Sequence, residues 1–324
     1  MTSDTRTPPA LPEPAAPTEP TEPTRLREPE EPRRQAEPRE QTEPRGPLQP
    51  LDPSVIRAAV GPAVLRGARH AWQPEDLDWD RLEPDRLTAL DRSAVRFITF
   101  VEDHIPGYLD WLLTRFPATG AERDIVAFRA HREYFRFFVT WAHEEERHAS
   151  ALTRYQVASG IAAHEDDLLA ELAHECAKPF ELPYDHPLQA FTYTLIQEKA
   201  TQLFYQRFLA TVREPVLREL LRLMARDEAR HFALYSKLVT GYIARDGAGT
   251  APYLKDVVAT FRMPLATTLT GYRRWSYRLA HTLDYDHREA YAALARLIGD
   301  FVDRPGAAEG DDVLELIDAL GRLP

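Results

Sequence analysis

The 324-residue sequence contains a single cysteine, Cys176. That excludes an intrachain disulfide and any thiolate cluster for zinc or iron–sulfur, and it fits a reducing cytoplasm. No apolar run approaches the roughly 20 residues needed to span a bilayer, and the first thirty residues, rich in Pro, Glu and Thr, hold no segment of signal-peptide type. A soluble cytoplasmic protein that does not engage a membrane is expected. Net positive charge is also lacking: 51 Asp and Glu outweigh 40 Lys and Arg for a formal net charge of −11, and lysine occurs only at Lys178, Lys199, Lys237 and Lys255. A general positive field for nucleic acid or an anionic membrane is therefore absent, which leaves only local basic patches. Strand signals are missing as well, since there is no Val/Ile/Thr alternation and no Asn-Gly or Asp-Gly hairpin between alternating runs. The expected fold class is all-α.

What is present is a 44% hydrophobic chain, enough to bury a large core. Residues 1–50 hold 13 of the 27 prolines in a loose Glu-Pro repeat, such as "TEPTEPT", with almost nothing to bury. That composition predicts a disordered, extended tail, with a folded domain over 51–324. The spacing predicts long helices from Leu87 to Phe116, Ile125 to Ser159, Pro187 to Val212 and Pro215 to Ala244, with shorter ones before and after. Pro187 and Pro215 stand where proline is welcome, in the first turn of a helix.

A packed helix shows its neighbours a stripe of residues spaced three and four apart. On the second long helix the stripe is Tyr134, Phe138, Trp141, Glu145, His148, Leu152 and Tyr155. On the fourth it is Leu217, Leu221, Met224, Glu228, His231, Tyr235, Leu238 and Tyr242. The first long helix contributes Val95, Ile98, Glu102, Ile105, Leu109 and Leu112, and the third Phe191, Thr194, Glu198, Thr201, Tyr205 and Phe208. Each helix thus sends one glutamate inward, and two of them add a histidine three residues later. On this reading Glu144, Glu146 and Arg147 point elsewhere. His143, His281 and His287 fall off the pattern and read as ordinary surface or structural residues.

Isolated buried carboxylates are too costly to ionise, so several together require protonation, pairing or a metal. The order along the chain is lone Glu, Glu-x-x-His, lone Glu, Glu-x-x-His, which makes two similar halves. Four carboxylates and two imidazoles of this kind form the constellation of carboxylate-bridged di-iron sites in ferritin-like bundles. Four negative charges balance two divalent cations, and an oxygen-rich set with imidazole but no thiolate favours iron or manganese over structural zinc.

At these residues the sequence resembles the soluble acyl-[acyl-carrier-protein] desaturases. The resemblance rests on "WQPEDL" at Trp72–Leu77, "EDHIPGY" at Glu102–Tyr108, "WAHEEERH" at Trp141–His148, "QEKAT" at Gln197–Thr201, "DEARH" at Asp227–His231 and "RMP" at Arg262–Pro264. It covers about residues 70–303. It implies a ferritin-like di-iron bundle extended by further helices, with two iron ions held by Glu102, Glu145, His148, Glu198, Glu228 and His231. Trp141 matches a tryptophan beside the cluster, and Thr201 a threonine near the oxygen-binding side. Asp227 is a candidate outer partner for a ligating imidazole, and pairing with Arg230 is the alternative. The implied activity is O2-dependent insertion of a cis double bond into a saturated acyl chain on acyl-carrier protein. A ferredoxin-type donor supplies the electrons, and a homodimer is expected by family analogy. Arg273, Arg274 and Arg278 form one candidate patch for the acidic carrier. Three other readings compete: a ferroxidase, an N-oxygenase, and an inactive scaffold that binds acyl-carrier protein. Chain length beyond the second Glu-x-x-His disfavours the first, and Met224 in place of a third histidine disfavours the second.

Overall fold

The computed structural model describes residues 51–119, 124–283, 288–302 and 314. The predicted tail over 1–50 and His287 lie outside them, as does the side chain of His281. Every regular element among the described residues is helical. Ten α-helices follow in order: α1 Pro53–Arg69, α2 Ala89–Glu102, α3 Ile105–Arg115, α4 Ile125–Ala158, α5 Glu165–Cys176, α6 Pro187–Thr211, α7 Pro215–Asp246, α8 Ala251–Thr260, α9 Tyr272–Leu283 and α10 Arg288–Val302. None of the described helices is long and apolar enough to cross a membrane.

The helix starts follow local chemistry. Asp52, Thr88, Asp124 and Glu214 each accept a backbone N–H of the first turn, and α1, α6 and α7 carry Pro at the start. Glu214 does more than cap α7. It is fully buried, and its two oxygens accept from Val216 N (3.2 Å), Leu217 N (2.7 Å), Glu83 N (3.1 Å) and the Tyr155 hydroxyl (2.7 Å). One side chain therefore pins the start of α7 to α4 and to the segment ahead of α2.

The first long helix of the sequence reading is two helices. The apolar period runs unbroken from Val95 to Leu112, but the chain turns at Asp103 and His104 between α2 and α3. Pro106 is the physical reason, because it has no N–H to donate to the Glu102 carbonyl four residues back. The new helix begins instead with Gly107 N and Tyr108 N on the His104 carbonyl, at 3.1 and 3.2 Å. Gly107 is required there, since a Cβ would lie 2.7 Å from His104 Nε2. Glu102 thereby becomes the last residue of α2.

Helices α6 and α7 pack most extensively, α2 and α7 both lie against α4, and α1 covers α4 and α7 from the other side. Two apolar cores result. One gathers Tyr134, Phe138, Phe191, Tyr235 and Tyr242. The other gathers Leu152, Tyr155, Tyr205, Phe208, Leu217, Leu221 and Met224. Along α4 the first core ends at Ala142 and the second begins at Ala151; along α7 the second ends at Ala225 and the first begins at Leu234. The residues in between form a charged layer sealed by apolar packing on both sides.

Replacing Glu214 by alanine removes a helix cap and leaves the buried Tyr155 hydroxyl without its acceptor. A loss of about 3 kcal/mol in unfolding free energy is expected, measured by urea denaturation with circular dichroism.

Candidate metal centre

The charged layer contains all six predicted ligands. Glu102 comes from α2, Glu145 and His148 from α4, Glu198 from α6, and Glu228 and His231 from α7. Each is at most 5% exposed. They form two overlapping groups able to hold a metal ion: Glu102, Glu145, His148 and Glu228, and then Glu145, Glu198, Glu228 and His231. Within each group the candidate donor atoms all lie within 4.8 Å of one another. Glu145 and Glu228 belong to both groups, which is the arrangement that two bridging carboxylates require.

The donor atoms fit such an occupant. His148 Nδ1, His231 Nδ1, Glu198 Oε2 and both oxygens of Glu228 are buried without a hydrogen-bond partner. His148 Nδ1 lies 3.3 Å from Glu145 and 3.5 Å from both Glu102 and Glu228, and His231 Nδ1 lies 2.9 Å from Glu145 and 3.4 Å from Glu198. These are ion-pair separations without hydrogen-bonding geometry. Buried polar atoms left unpaired cost free energy, and one cation in each donor group would satisfy them. With oxygen and imidazole donors only, the set suits iron or manganese.

The electrostatics of the metal-free layer agree. Burial pushes Glu102 up to about 7, with the Glu145 charge adding to it. Burial, then the Glu145 and Glu198 charges, raise Glu228 well above the carboxylate range. Burial also opposes charge on His148 and His231, but the surrounding carboxylates outweigh it and raise both rings. For Glu145 burial is outweighed by His148 and His231, so its carboxyl is held low. Without a metal, then, the layer holds protons on its histidines and on some carboxylates.

Around the six residues runs a second ring of charges. His231 Nε2 meets Glu144 Oε2 at 2.7 Å, and His148 Nε2 meets Asp227 Oδ2 at 3.4 Å. Arg230 pairs with both Asp227 and Glu144, and Arg147 approaches Asp227 at 3.4 Å and Glu144 at 3.9 Å. The Trp72 indole donates to Asp227 Oδ2 at 2.8 Å and stacks near His148 with a centroid separation of 6.1 Å. Asp227 is buried, with Oδ2 facing the imidazole and Oδ1 facing Arg230.

Glu144 and Arg147 correct the sequence reading, which directed them away from the core. They are 5% and 4% exposed. The reason is α1, which covers the side of α4 and α7 that a four-helix bundle leaves to water. The signal was present in the repeat itself. "EEERH" and "DEARH" each place a carboxylate directly before the Glu-x-x-His and an arginine directly before its histidine. Each outer carboxylate reaches the histidine of the other helix, so α4 and α7 brace one another reciprocally. Glu146 and His143 are exposed as expected. Tyr205, assigned only to the packing seam, donates its hydroxyl to Glu102.

On the other side of the layer lies a narrow, largely apolar cleft that reaches Glu102 and Glu145. Trp141 and Thr201 line it together with Ile105, Tyr108, Trp111, Phe180, Tyr193 and Met263. The Trp141 indole donates to Glu198 Oε1 at 3.2 Å, and Thr201 Oγ1 accepts from Gln197 at 3.4 Å. Of the remaining candidates, Arg273, Arg274 and Arg278 lie exposed on α9.

This sealed, doubly braced carboxylate–histidine layer in an all-helical bundle defines a class. The chain matches the family described as Fatty acid desaturase over residues 87–297, well over half its length, and it belongs to that family. Its fold is similar to the crystal structure of DesA2 from Mycobacterium tuberculosis H37Rv, a protein assigned provisionally to the acyl-ACP desaturases. The two are 18% identical, the match covers 80% of this chain and 99% of that one, and the TM-score is 0.51. Structures of an R2-like ligand-binding oxidase align at 15% identity over 81% of this chain. The Fe/Fe form of a point mutant of that oxidase aligns over 90% of its length with a TM-score of 0.42, and a Mn/Fe form over 91% with a TM-score of 0.43, too distant to argue from. No curated protein sequence matches significantly.

Two outcomes are expected. Metal analysis after anaerobic Fe(II) loading should find about two irons per chain in the wild type. It should find essentially none in Glu145→Ala or Glu228→Ala, because each of those residues belongs to both donor groups, while Glu102→Ala retains more than either. The second concerns pH. Glu102, Glu228, His148 and His231 have folded-state values above their unfolded ones, so folding favours their protonated forms. Their contribution is complete below the unfolded values and is lost as pH rises through the folded ones, for Glu102 between 4.5 and about 7. Glu144, Glu145 and Asp227 act in the opposite sense, but their contribution is already complete above their unfolded values of 4.5, 4.5 and 3.8. Metal-free protein should therefore melt at a lower temperature at about pH 8 than at about pH 6, and bound Fe(II) should reverse the order as it displaces those protons.

Proposed function

We propose that this protein is an O2-dependent di-iron desaturase that introduces a cis double bond into a saturated fatty acyl chain carried on acyl-carrier protein. The single observation that carries the reading is the pair of overlapping donor groups, buried and unpartnered, at the inner end of an apolar cleft. Membership in the fatty acid desaturase family supports the same chemistry. Glu102, Glu145, His148, Glu198, Glu228 and His231 would hold the two irons, which when bound supply O2 activation and an oxidant able to attack an unactivated methylene.

The chain's own residues bind, orient and exclude water. The apolar walls given by Ile105, Tyr108, Trp111 and Phe180 suit a hydrocarbon and offer it no hydrogen bond to misplace. The two cores shut bulk water out of the charged layer, which protects a reactive centre from side reactions. Trp141 orients Glu198, Tyr205 orients Glu102, and Asp227 and Glu144 each hold one imidazole Nε2 so that Nδ1 faces the centre. Thr201 lines the cleft together with Glu102 and Glu145 and would present a hydroxyl to it. In the overall reaction the substrate loses two hydrogens, O2 becomes two waters, and two electrons and two protons come from outside.

A ferredoxin-type donor would supply those electrons, and exposed Arg273, Arg274 and Arg278 offer charge complementary to an acidic carrier. Residues 51–324 would act as one desaturase domain, in a cytoplasmic homodimer, with residues 1–50 as a tail. The cleft favours desaturation over iron storage, which has no use for an apolar channel ending at the metal. Met224 is buried in the second core, so that position supplies no third histidine of the kind amine oxidation would use.

Iron-loaded protein incubated with stearoyl- or palmitoyl-ACP, reduced ferredoxin and O2 should yield monounsaturated acyl-ACP, detected by gas chromatography after the thioester is cleaved chemically and the fatty acid methylated. The absence of unsaturated product, in a system shown to reduce the iron, would contradict the proposal. His231→Ala should reduce product to background while circular dichroism still reports a helical bundle.

A further inference from the structure

Gly67 lies in α1, ahead of the segment that matches the family. It is buried within a helix, where glycine costs about 1 kcal/mol relative to alanine. Its conformation is helical, so no backbone requirement explains it. Its surroundings do: a Cβ at this position would overlap Glu144 Oε1 and lie 3.3 Å from the carboxyl carbon.

Ordinarily the end of a glutamate side chain swings aside cheaply. Here that is opposed, because Glu144 is 5% exposed and the second oxygen of the same carboxylate, Oε2, is held by His231 Nε2 at 2.7 Å and by Arg230 at 3.2 Å, so displacing Oε1 also turns Oε2. Moving the carboxylate therefore disturbs both contacts in a buried site. The matching carboxylate on α7, Asp227, is seated differently, by the Trp72 indole five residues further along the chain. A short stretch from Gly67 to Trp72 thus closes over both outer carboxylates, with bare backbone at one and an aromatic ring at the other.

We propose that Gly67 is a positioning residue for the metal centre. Its missing side chain is the space that Glu144 fills, and through Glu144 it fixes the His231 ring with Nδ1 turned inward. The inference rests on the di-metal reading only for its consequence at the metal, since the contact itself is between residues of the chain.

The test compares Gly67→Ala with Gly61→Ala, a position on the same helix where a Cβ would meet nothing within 4 Å. In crystals of the metal-free proteins, Gly61→Ala should keep the contact between Glu144 and His231, and Gly67→Ala should break it. Anaerobic Co(II) titration, read by visible absorption, should show two ions per chain in the wild type and in Gly61→Ala. In Gly67→Ala the second ion should bind at least about tenfold more weakly. Glu144→Ala alone should weaken it comparably, and adding Gly67→Ala to Glu144→Ala should cost nothing further, because the clash has gone. If Gly67→Ala alone fails to fold, the same double variant should fold as well as Glu144→Ala. The proposal is overturned if Gly67→Ala retains the Glu144–His231 contact, binds Co(II) like the wild type, or adds its full effect on top of Glu144→Ala. A wild type that binds fewer than two Co(II) ions overturns the di-metal reading instead, and the metal-free contact still decides the role of Gly67.

Discussion

Four carboxylates and two imidazoles are buried in one layer between two apolar cores, and the rest of the molecule is arranged around that constraint. Without a cation, burial raises Glu102 and Glu228, and the surrounding carboxylates outweigh burial to raise His148 and His231, so the layer favours protonated forms. Such a layer is a poor way to stabilise a helix bundle, since apolar side chains of similar volume would serve better. Its persistence on four separate helices is therefore a statement about function, and two divalent cations are the occupants that its charge and donor types suit.

Holding the layer in place falls to the charges behind it. Glu144 and Asp227, with Arg147 and Arg230, make a balanced set of two acids and two bases that ties α4 to α7. Each acid serves the histidine of the opposite helix, so the two helices cannot slide past one another without turning both rings. Helix α1 completes the seal on this side and the apolar cleft opens on the other, so the layer has a closed back and a front suited to a hydrocarbon.

Much of this was legible in the sequence because helical periodicity is a reliable guide to facing residues. All the seam positions named on α4, α6 and α7 are buried, and the six predicted ligands converge. The break between α2 and α3 was hidden because apolar spacing continues through Ile105, Leu109 and Leu112, and only Pro106 marks the turn. Glu144 and Arg147 were misread for a different reason. A seam rule assigns each helix one buried face, whereas α4 has two once α1 packs behind it, and only the match between "EEERH" and "DEARH", not the period of α4 alone, carried a sign of the second face. The contact between Gly67 and Glu144 is of the same kind, visible only when two distant segments are placed together.

The central claim is that six side chains from four helices share two metal ions. Anomalous diffraction at the iron edge, from crystals loaded anaerobically with Fe(II), tests it most directly. The account predicts two peaks in the layer, one within bonding reach of Glu102 and His148, one within reach of Glu198 and His231, and both touching Glu145 and Glu228. A layer with no peak, or a single peak that leaves either histidine without a metal, would contradict it.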